Sequence, residues 1–450
     1  MSIKKHDHAQ WSSSFGFVLA AVGSAVGLGN IWKFPYMVGE SGGAVFVLTY
    51  LVCIALIGFP ILVAEWLIGR RGQKNPINSF ADVAISENKS SAWGIVGGVG
   101  ILAGFIVLSF YSVIGGWALN YITKVGTGSF VGQDSDAIGT TFDAMLAAPG
   151  TLTLWHTVFM VLTALIVGVG VTGGIEKAAK VLMPLLGLIL VFILGYNVLN
   201  GGFAEAVSYL FTPDFGKLNG DVLLAALGHS FFTLSLGMGI MVAYGSYLGR
   251  EVNLLKTART VCILDTVVAL AAGLAIFPII FNHGLDPASG PGLIFVSLPI
   301  AFGDMTAGTL IGTLFFLLIT FAALTSSISL LEPSVEFLEE RTSMNRTMST
   351  IVASSVIWLL GVAALLSFNL WSEFTIMGNG IFDILDKVTS KFLLPLAGLA
   401  AILFVGWQLS QDSVRRELGL SDGAWSLWQI VAKFIAPVGV LIVFISSLMS

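Results

Sequence analysis

Three acidic side chains stand inside long apolar runs of this 450-residue chain: Glu65, Asp265 and Glu332. Burying an ionisable group at such depth is costly, so each is a candidate for ion or substrate chemistry. Asp265, in Cys262-Ile-Leu-Asp265-Thr-Val-Val, has no cationic residue nearby in its own run, and a bound cation is its most economical partner. Glu65, closing Phe59-Pro60-Ile-Leu-Val-Ala-Glu65-Trp66, can accept amides exposed by an unwound helix. Glu332 precedes Pro333 and reads as a structural or permeation-path residue. Hydroxyls gather at Ala322-Ala-Leu-Thr325-Ser326-Ser327 and at Thr233 and Ser235. Oxygen ligands without cysteine or histidine suit a hard cation rather than a transition metal. The same hydroxyls equally serve hydrogen bonds between membrane helices.

Two interrupted segments would have to position these groups. The first reads Ser24-Ala-Val-Gly27-Leu-Gly29-Asn30 and the second Ser235-Leu-Gly237-Met-Gly239. A helix in lipid satisfies its backbone internally, so a mid-depth break survives only where the freed groups meet protein, water or a ligand. Matched breaks in two halves of a chain mark substrate and ion sites in membrane carriers. Close helix packing through small residues such as Gly23 and Gly27 is the other reading of these glycines. Half-helix ends add partial charge, with amides favouring anions and carbonyls favouring cations.

Composition supplies the setting. Hydrophobic residues make up 56%, charged residues 10%, and mean hydropathy is +0.91. Such values lie outside ordinary soluble domains. Runs of about 20 apolar residues, each long enough to cross the hydrocarbon core, recur along the chain. Eleven spans are expected, at 11–36, 43–69, 92–124, 152–171, 178–200, 221–249, 256–282, 305–338, 347–368, 380–409 and 425–448. Placing the N-terminus in the cytoplasm gathers Lys4, Lys5, Arg70, Arg71, Lys74, Lys89, Lys177, Lys180, Arg250, Lys256, Arg259, Arg341, Arg346, Arg415 and Arg416 on that side, 15 of the 21 basic residues. That is the bias of a cell-membrane protein, and eleven spans leave the C-terminus outside. A net charge of −5 with no basic stripe excludes a nucleic-acid partner. Cys53 and Cys262 lie in apolar runs and read as free thiols. The first apolar stretch is too long for a cleavable signal.

The expected organisation is a cytoplasmic segment 1–10, a five-helix repeat over 11–200, a second over 221–409, and an additional eleventh helix at 425–448. An odd number of helices per repeat inverts the second copy in the membrane. The broken segments are then the first helix of each. The connection His283-Gly284-Leu285-Asp286-Pro287 through Gly290-Pro291-Gly292 to Pro299 is too apolar for a solvated loop, and reads as a packed outer hairpin or a buried connector.

The stretch from Gly16 through Gly23-Ser-Ala-Val-Gly27-Leu-Gly29-Asn30-Ile-Trp32-Lys33-Phe34-Pro35-Tyr36 resembles the first helix of the neurotransmitter:sodium symporters. Phe231-Phe232-Thr233-Leu-Ser235-Leu-Gly237-Met-Gly239 is similar to their sixth helix, Leu324-Thr325-Ser326-Ser327 to their eighth, and Gly290-Pro291-Gly292 to their outer lid. Eleven spans and short termini resemble the bacterial branch. The resemblance implies an all-α polytopic fold of the leucine-transporter type, a 5+5 inverted repeat with unwound first and sixth helices. It implies two sodium ions and a hydrophobic L-amino acid as partners, with no organic cofactor. One sodium site would use Gly23, Val26, Ala322, Thr325 and Ser326. The other would use Ala25, Asn30, Thr233 and Asp265, completed by the substrate carboxylate. The substrate would lie against Ala25, Leu28, Gly29, Val107, Tyr111 and Phe232, and against Thr233, Ser235, Met238, Ser326 and Leu330. Tyr111 would donate to the carboxylate and, with Phe232, close the outer side. Gly27 stands where monoamine carriers have an aspartate, which argues for a substrate that brings its own carboxylate.

Departures from the family pattern refine these expectations. Asp265 replaces an asparagine and Ala269 a serine, so a fixed carboxylate supplies the charge that chloride supplies elsewhere. Lys33 replaces an outer-gate arginine whose partner position falls near Thr389, leaving Asp386 a turn away; lysine lacks the bidentate fork, so that gate is looser. At the inner gate, His8 replaces the arginine before Trp11, and Glu340 is expected to meet His8 or Lys5. Gly174 and Pro184 enclose nine residues at the start of the fifth span. That spacing resembles a family motif for local unwinding and implies an inward release path; an ordinary proline-kinked helix start is the plainer reading. A transport-inactive sensor of the same fold would share every binding residue. A channel needs a continuous polar lining that spans three and eight lack. Isolated His156 and His229 form no catalytic constellation, so an enzyme is not expected.

Overall fold

The computed structural model of the protein describes residues 10–290 and 292–449. Its principal helices, in chain order, are α1 (Ser14–Ala25), α2 (Gly29–Glu40), α3 (Ala44–Gly72), α4 (Ser91–Gly126), α5 (Pro149–Val169) and α6 (Val171–Asn200). They continue as α7 (Gly220–Thr233), α8 (Ile240–Ser246), α9 (Leu254–Asn282), α10 (Gly308–Arg341), α11 (Arg346–Leu366), α12 (Ile381–Gln408) and α13 (Asp422–Ser446). Among the described residues nine helices are long and apolar enough to cross a bilayer, and α1 with α2, bent by 45° at their junction, make a tenth span. The expected count of eleven is reached only by joining α7 to α8 across residues 234–239. Both expected breaks are present.

Local chemistry explains them. The Ser13 hydroxyl caps α1 by accepting the Gly16 amide at 3.0 Å, and the helix stops where Val26 turns extended (φ −75°, ψ 96°). Asn30 then offers its side-chain oxygen to the Gly27 amide at 3.1 Å, replacing a lost helical acceptor. In the second break Ser235, Gly237 and Gly239 all take positive φ (54°, 73° and 72°). Gly237 is required twice over, by its left-handed backbone and because a Cβ there would run into the Leu394 carbonyl.

The helix α10 forms the centre of the bundle: 83% of its most apolar window is buried, against 28% for α6 and for α13. It packs most extensively against α4. One end of the bundle joins Trp11 to Tyr244 and Tyr247, Arg70 to Val252 and Glu417, and Arg346 to Glu332. At the other end the connection after α9 closes over the helices. Its helix Leu293–Asp304 buries Leu293, Phe295, Leu298 and Phe302, and Tyr121 donates to the Phe295 carbonyl at 2.8 Å. That segment is packed, as its apolar character requires; Pro291 of the expected lid motif lies outside the described residues.

Candidate functional site

The two breaks face each other, and their freed groups find partners across the gap. The Ser235 hydroxyl donates to the Ser24 carbonyl at 2.9 Å, and the Ser326 hydroxyl, from α10, donates to the same carbonyl at 3.1 Å. Glu65, buried in α3, accepts the Gly237 amide at 2.8 Å, the role expected of it. Tyr111 of α4 accepts the Leu28 amide at 3.2 Å, which leaves its own O–H proton available. Among the described residues, no hydrogen bond ends on the carbonyl of Ala25 or Val26. Such unpaired carbonyls at a helix C-terminus attract a cation or an ammonium group.

Beside these carbonyls lies Asp265, fully buried in α9. Its Oδ1 accepts from Asn30 Nδ2 at 2.8 Å and from the Thr233 hydroxyl at 3.0 Å, while Tyr50 donates its hydroxyl to Oδ2 at 3.1 Å. Elements α2, α7 and α3 thus converge on one carboxylate. No Lys, Arg or His forms an ion pair with it among the described residues. A dry, unpaired carboxylate is strongly unfavourable, and a small cation resolves the cost. The donor set fits a hard monovalent ion: one carboxylate with hydroxyl, amide and carbonyl oxygens. No cluster of three or more His, Cys, Asp or Glu suited to a transition metal occurs among the described residues.

Between the breaks lies a small cavity. Ala25, Gly29, Phe232, Ser235 and Met238 line it from the broken segments, Val107 and Tyr111 from α4, and Ser326 and Leu330 from α10. All nine belong to the expected substrate set. Ser24 and Gly27 also line it, and neither was expected there. Leu28 and Thr233, expected against the substrate, lie buried just behind, tied to Tyr111 and Asp265. The lining is apolar around a few fixed polar groups, the composition of a site for a small amphipathic ligand.

Candidates for a second cation gather one layer away. The Ser326 hydroxyl reaches the Gly23 carbonyl at 3.4 Å, and the Thr325 hydroxyl lies 3.0 Å from the Ala322 carbonyl. Gly23 leaves room for Thr325, since a Cβ on it would sit 3.3 Å from the Thr325 Cβ, and Val26 lies at the end of the same turn.

Lys33 and Glu340 both find partners. Lys33 lies over the face of Phe232, 4.5 Å from its ring centre, and forms no ion pair with the half-buried Asp386 among the described residues. Glu340 accepts the Asn75 amide at 2.8 Å and the Asn78 side chain at 2.9 Å, holding the helix Pro76–Ser86 in place. His8 and Lys5, its expected partners, lie outside the described residues. Trp11 donates Nε1 to the Tyr244 carbonyl at 3.1 Å. Gly174 sits in a widened turn, Val171–Glu176, at the start of α6, and Pro184 lies inside that helix.

Sequence reasoning missed Tyr50, Glu176 and Arg346. Tyr50 carries no motif of its own, and only a hydroxyl stranded in an apolar run could have flagged it. Glu176 lies two residues after the marked Gly174, so a charge beside a helix-opening glycine was the available signal. Arg346 pairs with the buried Glu332, which also accepts the Tyr247 hydroxyl at 2.7 Å.

Comparison with known proteins agrees with this geometry. The sequence profile of the Sodium:neurotransmitter symporter family matches residues 8–131 and 137–450. An uncharacterised sodium-dependent transporter of Bacillus subtilis is 38% identical over 441 residues, covering 97% of each chain. One from Haemophilus influenzae is 35% identical over 457 residues, covering 100% of both. The crystal structure of MhsT in complex with L-phenylalanine superposes with a TM-score of 0.90 at 44% identity, covering 98% of this chain and 99% of that one. A full-length profile match, two full-length relatives and a shared three-dimensional fold leave one assignment: the chain belongs to the sodium:neurotransmitter symporter family.

Proposed function

We propose that the protein is a sodium-coupled symporter of hydrophobic L-amino acids, aliphatic and aromatic, working by alternating access around the cavity between the two breaks. The observation that carries this reading is the convergence of Asn30, Thr233 and Asp265 beside an apolar cavity bounded by unpaired carbonyls. Sodium at the first site takes Asp265, Asn30, Thr233 and the Ala25 carbonyl as ligands, and the substrate carboxylate completes the shell. That shared carboxylate is the coupling device, because neither ion nor amino acid is fully satisfied without the other. Tyr111 donates to the carboxylate, and the substrate ammonium meets carbonyls of the two breaks. The side chain lies against Val107, Phe232, Met238 and Leu330. The phenylalanine bound by MhsT supports a substrate of this class.

The second sodium ion lies among Gly23, Val26, Ala322, Thr325 and Ser326, and leaves inward past Gly174 and Pro184. Lys33 over Phe232, with Asp386 nearby, forms the outer gate; Trp11 and Glu340 belong to the inner one. Transport is chloride-independent, because Asp265 carries a fixed negative charge while the buried Ala269 offers no hydroxyl. Two five-helix repeats, 11–200 and 221–409, precede an additional helix over 425–448. Joining α7 to α8 gives eleven spans, with the N-terminus cytoplasmic and the C-terminus outside.

A competition panel tests the substrate class: L-amino acids against labelled tryptophan or leucine bound to the purified protein, with sodium and with a sodium-free substitute. Leucine, valine, phenylalanine and tryptophan should compete only with sodium present. Equal competition by charged amino acids, or binding unaffected by sodium, contradicts the reading.

A further inference from the structure

Glu176 has no part in the transport cycle as derived above, yet it is 1% exposed and fully engaged. One carboxylate oxygen accepts the Ser12 backbone amide at 2.9 Å and the other accepts the Ser12 hydroxyl. Lys180, a turn further along α6, brings its ammonium to 2.7 Å. Gly16 makes room for the group, since a Cβ there would collide with the Glu176 carboxyl. The carboxylate therefore grips the chain just before α1 from the widened turn that opens α6. On its other side the same stretch is held by α8, where Trp11 packs edge-on to Tyr244 with ring centres 5.1 Å apart.

The position matters because of what lies behind it. Ile175, the adjacent residue, lines a small cavity together with Gly23, Tyr244, Thr325 and Ser329. Gly23 and Thr325 belong to the second sodium site as read above. The wall of that cavity is thus built in part from the turn that carries Glu176. This turn departs from regular helix: it follows Gly170 at φ 109° and runs as a wide helical turn from Val171 to Glu176. Glu176 ties it to the N-terminal segment through both carboxylate oxygens.

We propose that the Glu176 carboxylate is the latch tying the entry to α1 to the first turn of α6, so that both segments leave the cavity wall together and open a water path to the second sodium site. Moving either segment alone strands a buried carboxylate with half its partners, which is the costly intermediate. Lys180 balances the charge while the latch is closed and follows α6 when it opens. The inference rests on the reading of Gly23, Val26, Ala322, Thr325 and Ser326 as a sodium site.

Hydrogen exchange of the full-length protein, followed by mass spectrometry with and without sodium, tests the latch. Glu176→Ala should speed exchange about tenfold in both 11–25 and 171–184, the scale of losing one charged hydrogen bond. Ser12→Ala keeps the backbone bond and should speed both segments by less, and adding it to Glu176→Ala should produce no further acceleration. Acceleration in only one segment, in neither, or additively in the double variant overturns the proposal. If Glu176→Ala does not fold, Ser12→Ala decides alone: faster exchange in 171–184, which does not contain Ser12, supports the latch, and a change confined to 11–25 refutes it. Sodium should slow both segments in the unaltered protein. Loss of that sodium effect with the paired acceleration intact would sink the sodium-site reading and leave the mechanical coupling standing.

Discussion

Replacing Asp265 by asparagine removes a charge while nearly keeping a shape. Asn30, Thr233 and Tyr50 all lie within 3.1 Å of the carboxylate, and an amide can accept from the first and donate to the hydroxyls of the other two. The fold should therefore survive. Sodium binding should not. A unit charge about 4 Å from a cation contributes about 4 kcal/mol at an effective dielectric near 20. Part of that attraction offsets the cost of keeping the carboxylate dry, leaving about 2 kcal/mol, or a roughly 30-fold weaker apparent sodium affinity. The assay is the sodium dependence of labelled leucine or tryptophan binding, with thermal unfolding as a control for folding. Ala269 lies one helical turn beyond Asp265 and is fully buried, so adding Ala269→Ser supplies a hydroxyl where an anion could sit. The double variant should gain chloride dependence. A sodium affinity within about twofold of the original in the single variant, or no response to chloride in the double one, would refute the charge-replacement argument.

Three further perturbations follow from the geometry. Gly237→Ala places a side chain at φ 73° and drives a Cβ into the Leu394 carbonyl, so it should cost at least about 2 kcal/mol and abolish substrate binding; an unchanged melting temperature would count against a required glycine. Lys33→Gln removes the cation over Phe232, a contact of about 1 kcal/mol, and should weaken substrate affinity roughly fivefold through a looser outer gate; equal affinity, with unchanged dissociation, would show that the gate does not use it. Pro184→Ala restores a helical hydrogen bond in α6 and should slow inward sodium release and exchange roughly fivefold, measured as labelled-substrate exchange across proteoliposomes; identical kinetics would remove the proline from the release path.

How much of this was visible in the chain itself differs from residue to residue. The two breaks were legible because glycine spacing inside an apolar run has few physical meanings. Asp265 was legible because an acid in such a run must find a partner. Glu65 was read correctly as an acceptor for freed amides for the same reason. Tyr50 was not legible: the Ala44–Gly72 helix is apolar all round, so periodicity does not say which face meets Asp265. The break expected within the 221–249 span extends over 234–239, because Ser235 joins Gly237 and Gly239 in the left-handed region and keeps the chain out of helical geometry for longer than two glycines announce. Glu340 also holds the neighbouring helix, and its bond to Asn75 joins residues 265 positions apart, which local pattern does not encode; its expected gate partners His8 and Lys5 lie outside the described residues. Lys33 shows the same limit. Its substitution signalled a loose outer gate, whereas its seat on the Phe232 ring depends on how two helices meet.

The most direct measurement is accumulation of labelled L-tryptophan in proteoliposomes under an inward sodium gradient. Internal substrate should rise severalfold above the external concentration, collapse when the gradient is dissipated, and be indifferent to replacing chloride with gluconate. Sodium-dependent binding without accumulation would leave a sensor in place of a carrier, and accumulation independent of sodium would remove the ion from the site between the breaks.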